Sequence, residues 1–409
     1  MAECITRKVQ IVTLAFPGGA ENQFTGHDDP EFDGVRPSMI VYGMRWWFRA
    51  LAGAIRGTDD LESIRTAESA IFGTSQNIKL NGQEFQGLSS RVRVTILENI
   101  ASGERFEKED PRLWLKYLAY GLFPTDSSDA WVRKYVREGA QFQFRLQVSP
   151  PRGEDSKEPV ISKELIESLA DLWIELGGLG ARWRHGLGGM RIAESPDLKN
   201  GIQYPQQVRK RINDAKELVK DFLGLLGLPD PKPHPPLPSF PVVQDPHFQL
   251  AWRLNAGHDA MAALETVHLI WRGMRKTSRG NAYSSSRNAA LYRQVAAGGS
   301  LAGYQAEFAG LGLPIPFGFP QMHPRRNGAL VPEFGARRAS PIWFRVIRVN
   351  DKQYGLLAML WNCVYLPKGE GVAIGLNEGA KVPVPCVPDD AAAWFEGLLK
   401  SPQDRFIRG

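Results

Sequence analysis

The sequence predicts an α+β protein with more than one domain, on three observations. Residues 91–98 and 141–148 alternate apolar and polar side chains, as half-buried strands do. Residues 162–176 form an amphipathic helix in which four leucines recur at helical spacing. The length of 409 residues suits two or three domains.

The first half of the chain predicts a complete small fold. An apolar run at residues 8–16 indicates a first strand, and Ser38 is the expected N-cap of a helix over residues 39–55. A helix at 61–71 follows, and then the two alternating strands, with short helical insertions between them at 111–120 and 131–138. The unit ends with the helix at 162–176, for which Ser162 is the expected N-cap, and a short strand at 190–194. Without the insertions, strand-helix-strand-strand-helix-strand is the order of the ferredoxin-like (RRM-like) fold.

The second half predicts another unit of the same kind. A helix at 209–226 leads into residues 229–246, which hold eight prolines and indicate an extended connector. Beyond it we expect a strand at 248–255, a helix at 261–276, a strand pair at 341–350 and 354–361, and a helix at 391–400. The predicted organisation is a ferredoxin-like domain over 1–200, a helix and connector over 201–246, and a second ferredoxin-like domain over 247–409.

The basic residues are segregated along the chain. Residues 34–58, 176–193 and 266–306 carry thirteen bases and no acid, which leaves 37 bases against 44 acids elsewhere. Twelve of the thirteen are arginines, which favour bidentate contact with phosphate and stacking on bases. This pattern indicates a surface that binds a polyanion, with nucleic acid the favoured ligand over a chance clustering.

The glycine-rich segment 177–189, GGLGARWRHGLGG, is the most informative motif. Its glycines permit close backbone approach to a ligand, two arginines and a histidine supply charge, and the tryptophan between them could stack on a base. It is neither a P-loop nor a dinucleotide fingerprint, because it follows a helix and precedes a strand. The residues predicted to contact RNA here are Gly177, Gly178, Gly180, Arg182, Trp183, Arg184, His185 and Gly186. The alternative is a flexible hairpin that is basic by chance.

Three further pairs of bases are candidate phosphate contacts. Arg45 and Arg49 lie one helical turn apart, whereas the neighbouring tryptophans at 46 and 47 are expected in the core. Arg275 and Lys276 end the predicted helix of the second unit, and Arg337 and Arg338 precede one of its strands. For each pair a solvated, non-binding surface remains the alternative.

Several classes of protein are disfavoured. Three widely separated cysteines argue against a disulfide framework, and the spacing of the seven histidines against a transition-metal site, so we expect no metal or cofactor. No apolar run reaches membrane-spanning length and the first ten residues lack a signal-peptide core, so a cytoplasmic location is expected.

Candidate catalytic residues for RNA cleavage are few. A general base that takes the proton from an RNA 2′-OH could come from the loop holding His27, Asp28, Asp29 and Asp33, or from His185.

These motifs together resemble the RAMP superfamily of CRISPR effector proteins. The resemblance is carried by Arg-Pro-Ser at 36–38, Gly-x-Arg-Trp-Trp-Phe-Arg at 43–49, Glu-x-x-Ile-Phe-Gly at 68–73, the glycine-rich segment, and Arg-Arg-Ala-Ser-Pro at 337–341. The motifs fall in the family's order and are similar to the branch formed by the first RAMP subunit of type III-B complexes.

The resemblance implies tandem ferredoxin-like domains in a subunit that is not itself an enzyme. Such a subunit caps an RNA-guided complex near the 3′ end of the guide RNA, helps to capture single-stranded target RNA, and contacts other RAMP subunits. Because some RAMP proteins process guide-RNA precursors, a metal-independent endoribonuclease is the alternative, with His27 or His185 as its base.

Overall fold

The computed structural model describes residues 2–18, 34–104, 115, 118–119, 134–152, 158–193, 204–274, 286–306, 315–319, 326–334, 340–350, 352–364, 371–375, 381–386, 391–401 and 406–408. Its helices are α1 (Pro37–Arg56), α2 (Leu61–Phe72), α3 (Lys163–Leu176), α4 (Tyr204–Gly224), α5 (Ala260–Met274), α6 (Ser286–Ala296) and α7 (Ala391–Lys400). Its strands are β1 (Glu3–Ile11), β2 (Thr74–Leu80), β3 (Gln83–Leu88), β4 (Val92–Glu98), β5 (Gln141–Val148), β6 (Met190–Ile192), β7 (Phe248–Gly257), β8 (Ile315–Phe319), β9 (Arg326–Pro332), β10 (Ile342–Asn350), β11 (Gln353–Trp361), β12 (Val372–Gly375), β13 (Lys381–Val384) and β14 (Ile407–Arg408).

The first sheet has the strand order β4-β5-β1-β6, and all its neighbours are antiparallel. Helix α1 follows β1 and helix α3 joins β5 to β6, which is the ferredoxin-like arrangement. Helix α2 and the hairpin of β2 and β3 are inserted between α1 and β4. The hairpin was not predicted, because its strands carry mostly exposed polar side chains without a regular alternation.

The second sheet repeats this order as β10-β11-β7-β14, again with antiparallel neighbours. Helix α5 follows β7, and α7 precedes the closing strand β14. Strands β8, β9, β12 and β13 form a third sheet within the second unit. The predicted fold class of tandem ferredoxin-like units is therefore confirmed, with an inserted sheet that the sequence did not reveal.

The two units stack so that the helices of the first lie between the two sheets. Alternate residues of the second sheet, including Trp343 and Trp361, join the same core cluster as α1, α3 and the first sheet. The Trp46 ring lies 4.9 Å from that of Trp343 and 5.0 Å from that of Trp361. The opposite face of the second sheet packs on α5 and α7. Both faces of the second sheet are thus buried.

Helix α3 is built as the sequence predicts. The Ser162 hydroxyl accepts a hydrogen bond from the Leu165 backbone N–H at 3.2 Å, which satisfies one of the free donors at the helix start. Helix α1 begins differently, because Pro37 occupies its first turn and Arg36 is the N-cap. The prediction that Ser38 caps this helix is therefore wrong.

The proline-rich connector lies against α1. The N–H of Lys232 donates to the Arg56 carbonyl at 3.2 Å, and the N–H of Val243 donates to the Ala50 carbonyl at 3.1 Å. The Pro238 carbonyl accepts from the N–H of Val364 at 2.7 Å, so the connector also contacts the second unit. Prolines suit this segment because it runs extended and donates few hydrogen bonds.

Candidate nucleic-acid interface

Helix α1 presents two of the predicted RNA-binding arginines beside a buried carboxylate. The Nε groups of Arg45 and Arg49 both form ion pairs with Glu68 of α2, whose side chain is only 5% exposed. A second nitrogen of Arg49 donates to Glu68 Oε1 at 2.7 Å, and this hydrogen bonding raises the pKa of Arg49. Glu68 therefore fixes the direction of both guanidinium groups, while half of the Arg49 side chain stays exposed.

An exposed aromatic side chain shares the surface of these arginines. Tyr42 is 66% exposed and precedes Arg45 and Arg49 by three and seven residues, which places the three side chains on one stripe of α1. Its phenol is close enough to interact electrostatically with both Arg49 and Arg184. Tyr42 is not among the contacts predicted from the sequence, although its spacing from Arg45 and Arg49 already indicates a shared side of the helix.

The glycine-rich segment packs closely against the chain that follows β1. Gly180 and Gly188 have positive φ angles of 83° and 63°. A Cβ atom at Gly180 would lie 2.2 Å from the Phe16 carbonyl oxygen, and one at Gly188 would lie 2.0 Å from that of Leu179. Only glycine fits at these two positions.

Many backbone N–H groups of the segment are used within the protein. Those of Ala181 and Gly188 donate to the carbonyls of Phe16 and Leu14, and that of Gly189 donates to the Thr13 hydroxyl. These N–H groups are therefore not available to a ligand. The glycines serve close packing there.

The second unit holds the segment from the other side. The Arg184 carbonyl accepts from the N–H of Phe344 on β10 at 2.9 Å. Arg345, 3% exposed, donates through its guanidinium to the carbonyls of Ile174, Gly177 and Met190. These carbonyls lie at the end of α3 and the start of β6, so Arg345 joins the two units at the segment.

The guanidinium of Arg184 lies against a pair of tryptophan rings. Its guanidinium carbon is 5.3 Å from the centroid of Trp183 and 5.1 Å from that of Trp343, within the range of cation–π attraction. Burial lowers the pKa of Arg184, and its Nε has no hydrogen-bond partner among the described residues. No described carboxylate pairs with this cation, so an incoming anion would find it uncompensated.

Most of the other predicted residues of the glycine-rich segment pack against neighbouring side chains. The rings of Trp183 and Trp343 lie 4.6 Å apart, edge to face, and His185 lies 5.1 Å from the Trp271 ring of α5. Arg182 adopts a left-handed φ of 60°, which is uncommon for a residue with a side chain. Gly186 contacts α5, while Gly177 and Gly178 lie against Trp173 and Trp183.

The structure thus brings together the helix and the segment, which are about 130 residues apart in the sequence. We call Tyr42, Arg45, Arg49 and Arg184 the junction site. The predicted contacts Arg275, Lys276, Arg337 and Arg338, and the candidate bases or acids His27, Asp28, Asp29 and Asp33, lie outside the described residues. Among the described residues, no three His, Cys, Asp or Glu side chains are grouped to hold a metal ion, and no helix could cross a bilayer.

Residues 17–191, which span the junction site, match the model of the RAMP superfamily. The CRISPR system Cmr subunit Cmr1-1 of Pyrococcus furiosus is 24% identical over 347 residues, 83% of each chain. The chain carries a RAMP-superfamily domain and is homologous to the Cmr1 subunits. The predicted family is confirmed. Subunit Cmr1-2 of the same organism is 27% identical over 201 residues, 45% of this chain and 92% of the relative.

Chains of two solved structures are also similar to this chain. One is a chain of the type III-B Cmr-beta complex bound to cognate target RNA and AMPPnP, with 14% identity and a TM-score of 0.45, covering 89% of this chain and 95% of that one. The other comes from Cmr-beta bound to cognate target RNA, with 11% identity and a TM-score of 0.43, covering 89% and 97%.

Proposed function

We propose that this chain is an RNA-binding subunit of a type III-B RNA-guided complex. It caps the complex near the 3′ end of the guide RNA, helps to capture single-stranded target RNA, and does so in the cytoplasm beside other RAMP subunits. The chain itself cuts no RNA in this proposal. Homology to the Cmr1 subunits supports membership of a type III-B complex, and the junction site supports the RNA-binding role.

The uncompensated guanidinium of Arg184 is the observation that carries the proposal. A phosphate oxygen placed there would accept a charge-assisted hydrogen bond, worth about 1.5–3 kcal/mol. Arg49, half-exposed on α1, offers a second phosphate contact, and the exposed Tyr42 of the same helix offers a face on which a base can stack. Trp183, expected to stack on bases, is partly buried against Trp343, so Tyr42 takes that role.

The test measures binding of a labelled single-stranded RNA to the full chain by fluorescence anisotropy. Arg184→Gln should weaken binding by about tenfold or more, because one charge-assisted contact is lost. Arg65→Gln is the matched control, since Arg65 is an exposed arginine on α2 outside the junction site. Equal affinities of R184Q and R65Q, with unchanged tryptophan fluorescence, would contradict a role for Arg184.

Purification of the tagged chain from its native cells tests the setting. We expect guide RNAs and other RAMP subunits to copurify. Recovery of precursor RNA without partner proteins would favour the processing endoribonuclease instead, and His185→Ala would then be assayed for cleavage without metal. Recovery of no RNA would overturn the proposed function.

A further inference from the structure

One face of the first sheet is left open by the stacking of the two units. On the opposite face of this sheet, apolar side chains such as Val9, Phe142 and Phe144 pack against the helices and are fully buried. The alternate side chains of β4, β5 and β1 are exposed or half-buried and mostly polar. The second sheet offers no equivalent surface, because both of its faces are buried.

Four cations cross this open face on a single diagonal, one on each strand. In the strand register, Gln10 of β1 opposes Arg191 of β6, and Lys8 of β1 opposes Gln143 of β5. Arg145 lies two residues beyond Gln143 on β5. On β4, Arg93 lies two residues before Thr95, the residue that opposes Arg145. The order across the sheet is therefore Arg191, Lys8, Arg145, Arg93.

The spacing suits a phosphate backbone. Each cation is the diagonal neighbour of the next, a separation of about 7–8 Å between adjacent strands. Lys8, Arg93 and Arg145 form no ion pair or side-chain hydrogen bond with any described residue, and Arg191 Nε donates to the uncharged Gln10 Oε1 at 2.7 Å. Lys8, Arg93 and Arg145 are therefore available to an external anion.

The side chains around the diagonal are uncharged hydrogen-bonding groups. Thr6 and Thr95 flank Arg145 in the register, and Gln147 lies beside Arg93. Glu98, at the end of β4, opposes Gln143, and its single charge leaves the surface positive. The face therefore combines net positive charge with amide and hydroxyl groups, the chemistry that contacts phosphate and ribose.

The described strands place no aromatic side chain on this face. A protein partner typically requires a buried aromatic or aliphatic anchor, and base recognition by stacking requires an exposed ring. A phosphate backbone requires only the cations. We propose that the open face of the first sheet is a second RNA site, which binds the phosphates of single-stranded RNA without reading its bases. The inference rests on the proposed function for the identity of the ligand as RNA.

The experiment compares the full wild-type chain with the double variant Arg93→Ala/Arg145→Ala. The control, Arg65→Ala/Lys79→Ala, removes the same charge from two exposed residues elsewhere in the first unit. Binding of a labelled uridine 20-mer and of a mixed-sequence 20-mer is measured across a salt series. Each contact to a single strand contributes about 0.7 to the salt slope, so R93A/R145A should lower the slope by about 1.4 and the affinity at 0.1 M salt by about 25-fold.

A footprint supplies an independent readout. Cys4 is exposed and lies on this face beside Gln147. Saturating uridine 20-mer should slow alkylation of the Cys4 thiol severalfold in the wild-type chain, and R93A/R145A should abolish that protection. The two RNAs should bind with equal affinity, because the proposed contacts of this face are to phosphates, which every RNA sequence shares.

The outcomes separate this inference from the proposed function. If R93A/R145A binds both RNAs with wild-type affinity and slope while R184Q does not, the sheet site is overturned and the junction site stands. If R93A/R145A fails only to copurify with other subunits, the face binds an acidic protein and the inference is also overturned. If the wild-type chain binds neither RNA, the proposed function falls together with the inference.

Discussion

Arg345 offers the sharpest test of how the two units are joined. Replacement by methionine keeps much of its length and removes the donors that serve the carbonyls of Ile174, Gly177 and Met190. Three hydrogen bonds from a charged donor are worth about 1.5–3 kcal/mol each, or roughly 4.5–9 kcal/mol together. The methionine also avoids the desolvation cost of burying a charge, which offsets several kcal/mol of that sum. We therefore expect a net loss of about 3–5 kcal/mol in the free energy of unfolding.

Urea unfolding followed by tryptophan fluorescence measures this loss, because Trp46, Trp183 and Trp343 lie at the junction. With a urea dependence of about 3 kcal/mol per molar, the midpoint should fall by about 1 M or more. The exposed Arg65 provides the control R65M, which should unfold like the wild type. If R345M also unfolds at the wild-type urea concentration, Arg345 does not hold the units together.

Three further predictions concern stability and reactivity. Gly188→Ala should destabilise the chain by several kcal/mol because of its contact with the Leu179 carbonyl, whereas Gly82→Ala, with a φ of 80° and open space around it, should cost only about 1 kcal/mol in urea unfolding. Burial raises the pKa of the Cys363 thiol to about 11, so at pH 8 a disulfide reagent should modify Cys363 far more slowly than exposed Cys4; equal rates would contradict its burial. Burial and a hydrogen bond to a glutamate raise the pKa of Tyr354 above its ordinary value near 10, so this residue's stabilisation should persist below pH 10 and decline as the pH rises further, a decline that Tyr354→Phe should reduce in thermal melts.

Elements with a strict periodic pattern were predicted with their boundaries. Strand β5 occupies residues 141–148 and helix α7 residues 391–400, as expected from their alternation and helical spacing. The first strand was displaced, since the expected strand at 8–16 is observed at Glu3–Ile11. The apolar residues Val12, Leu14 and Phe16 leave the sheet and pack against the second unit. Burial there produces the same apolar pattern as a strand.

Three of the four members of the candidate site were named from the sequence, their role in RNA binding stays a prediction, and the sequence indicated little of the site's geometry. Sequence spacing identified Arg45, Arg49 and Arg184, but the partner that orients the first two, Glu68, lies on another helix. The burial of the glycine-rich segment depends on Arg345, which the sequence presents as one arginine within a strand. Contacts between residues about 170 positions apart leave no local sequence pattern from which they could be predicted.

The order of the layers has a consequence for synthesis on the ribosome. Helix α1 is covered on its outer side by Trp343 and Trp361, which are translated some 290 residues after it. At a translation rate of about 5–20 residues per second, the apolar outer side of α1 stays exposed for about 15–60 s before Trp343 and Trp361 are synthesised. The nascent first unit is therefore a natural client for chaperones, and a truncated chain that ends before β10 would keep a tryptophan-rich surface in water.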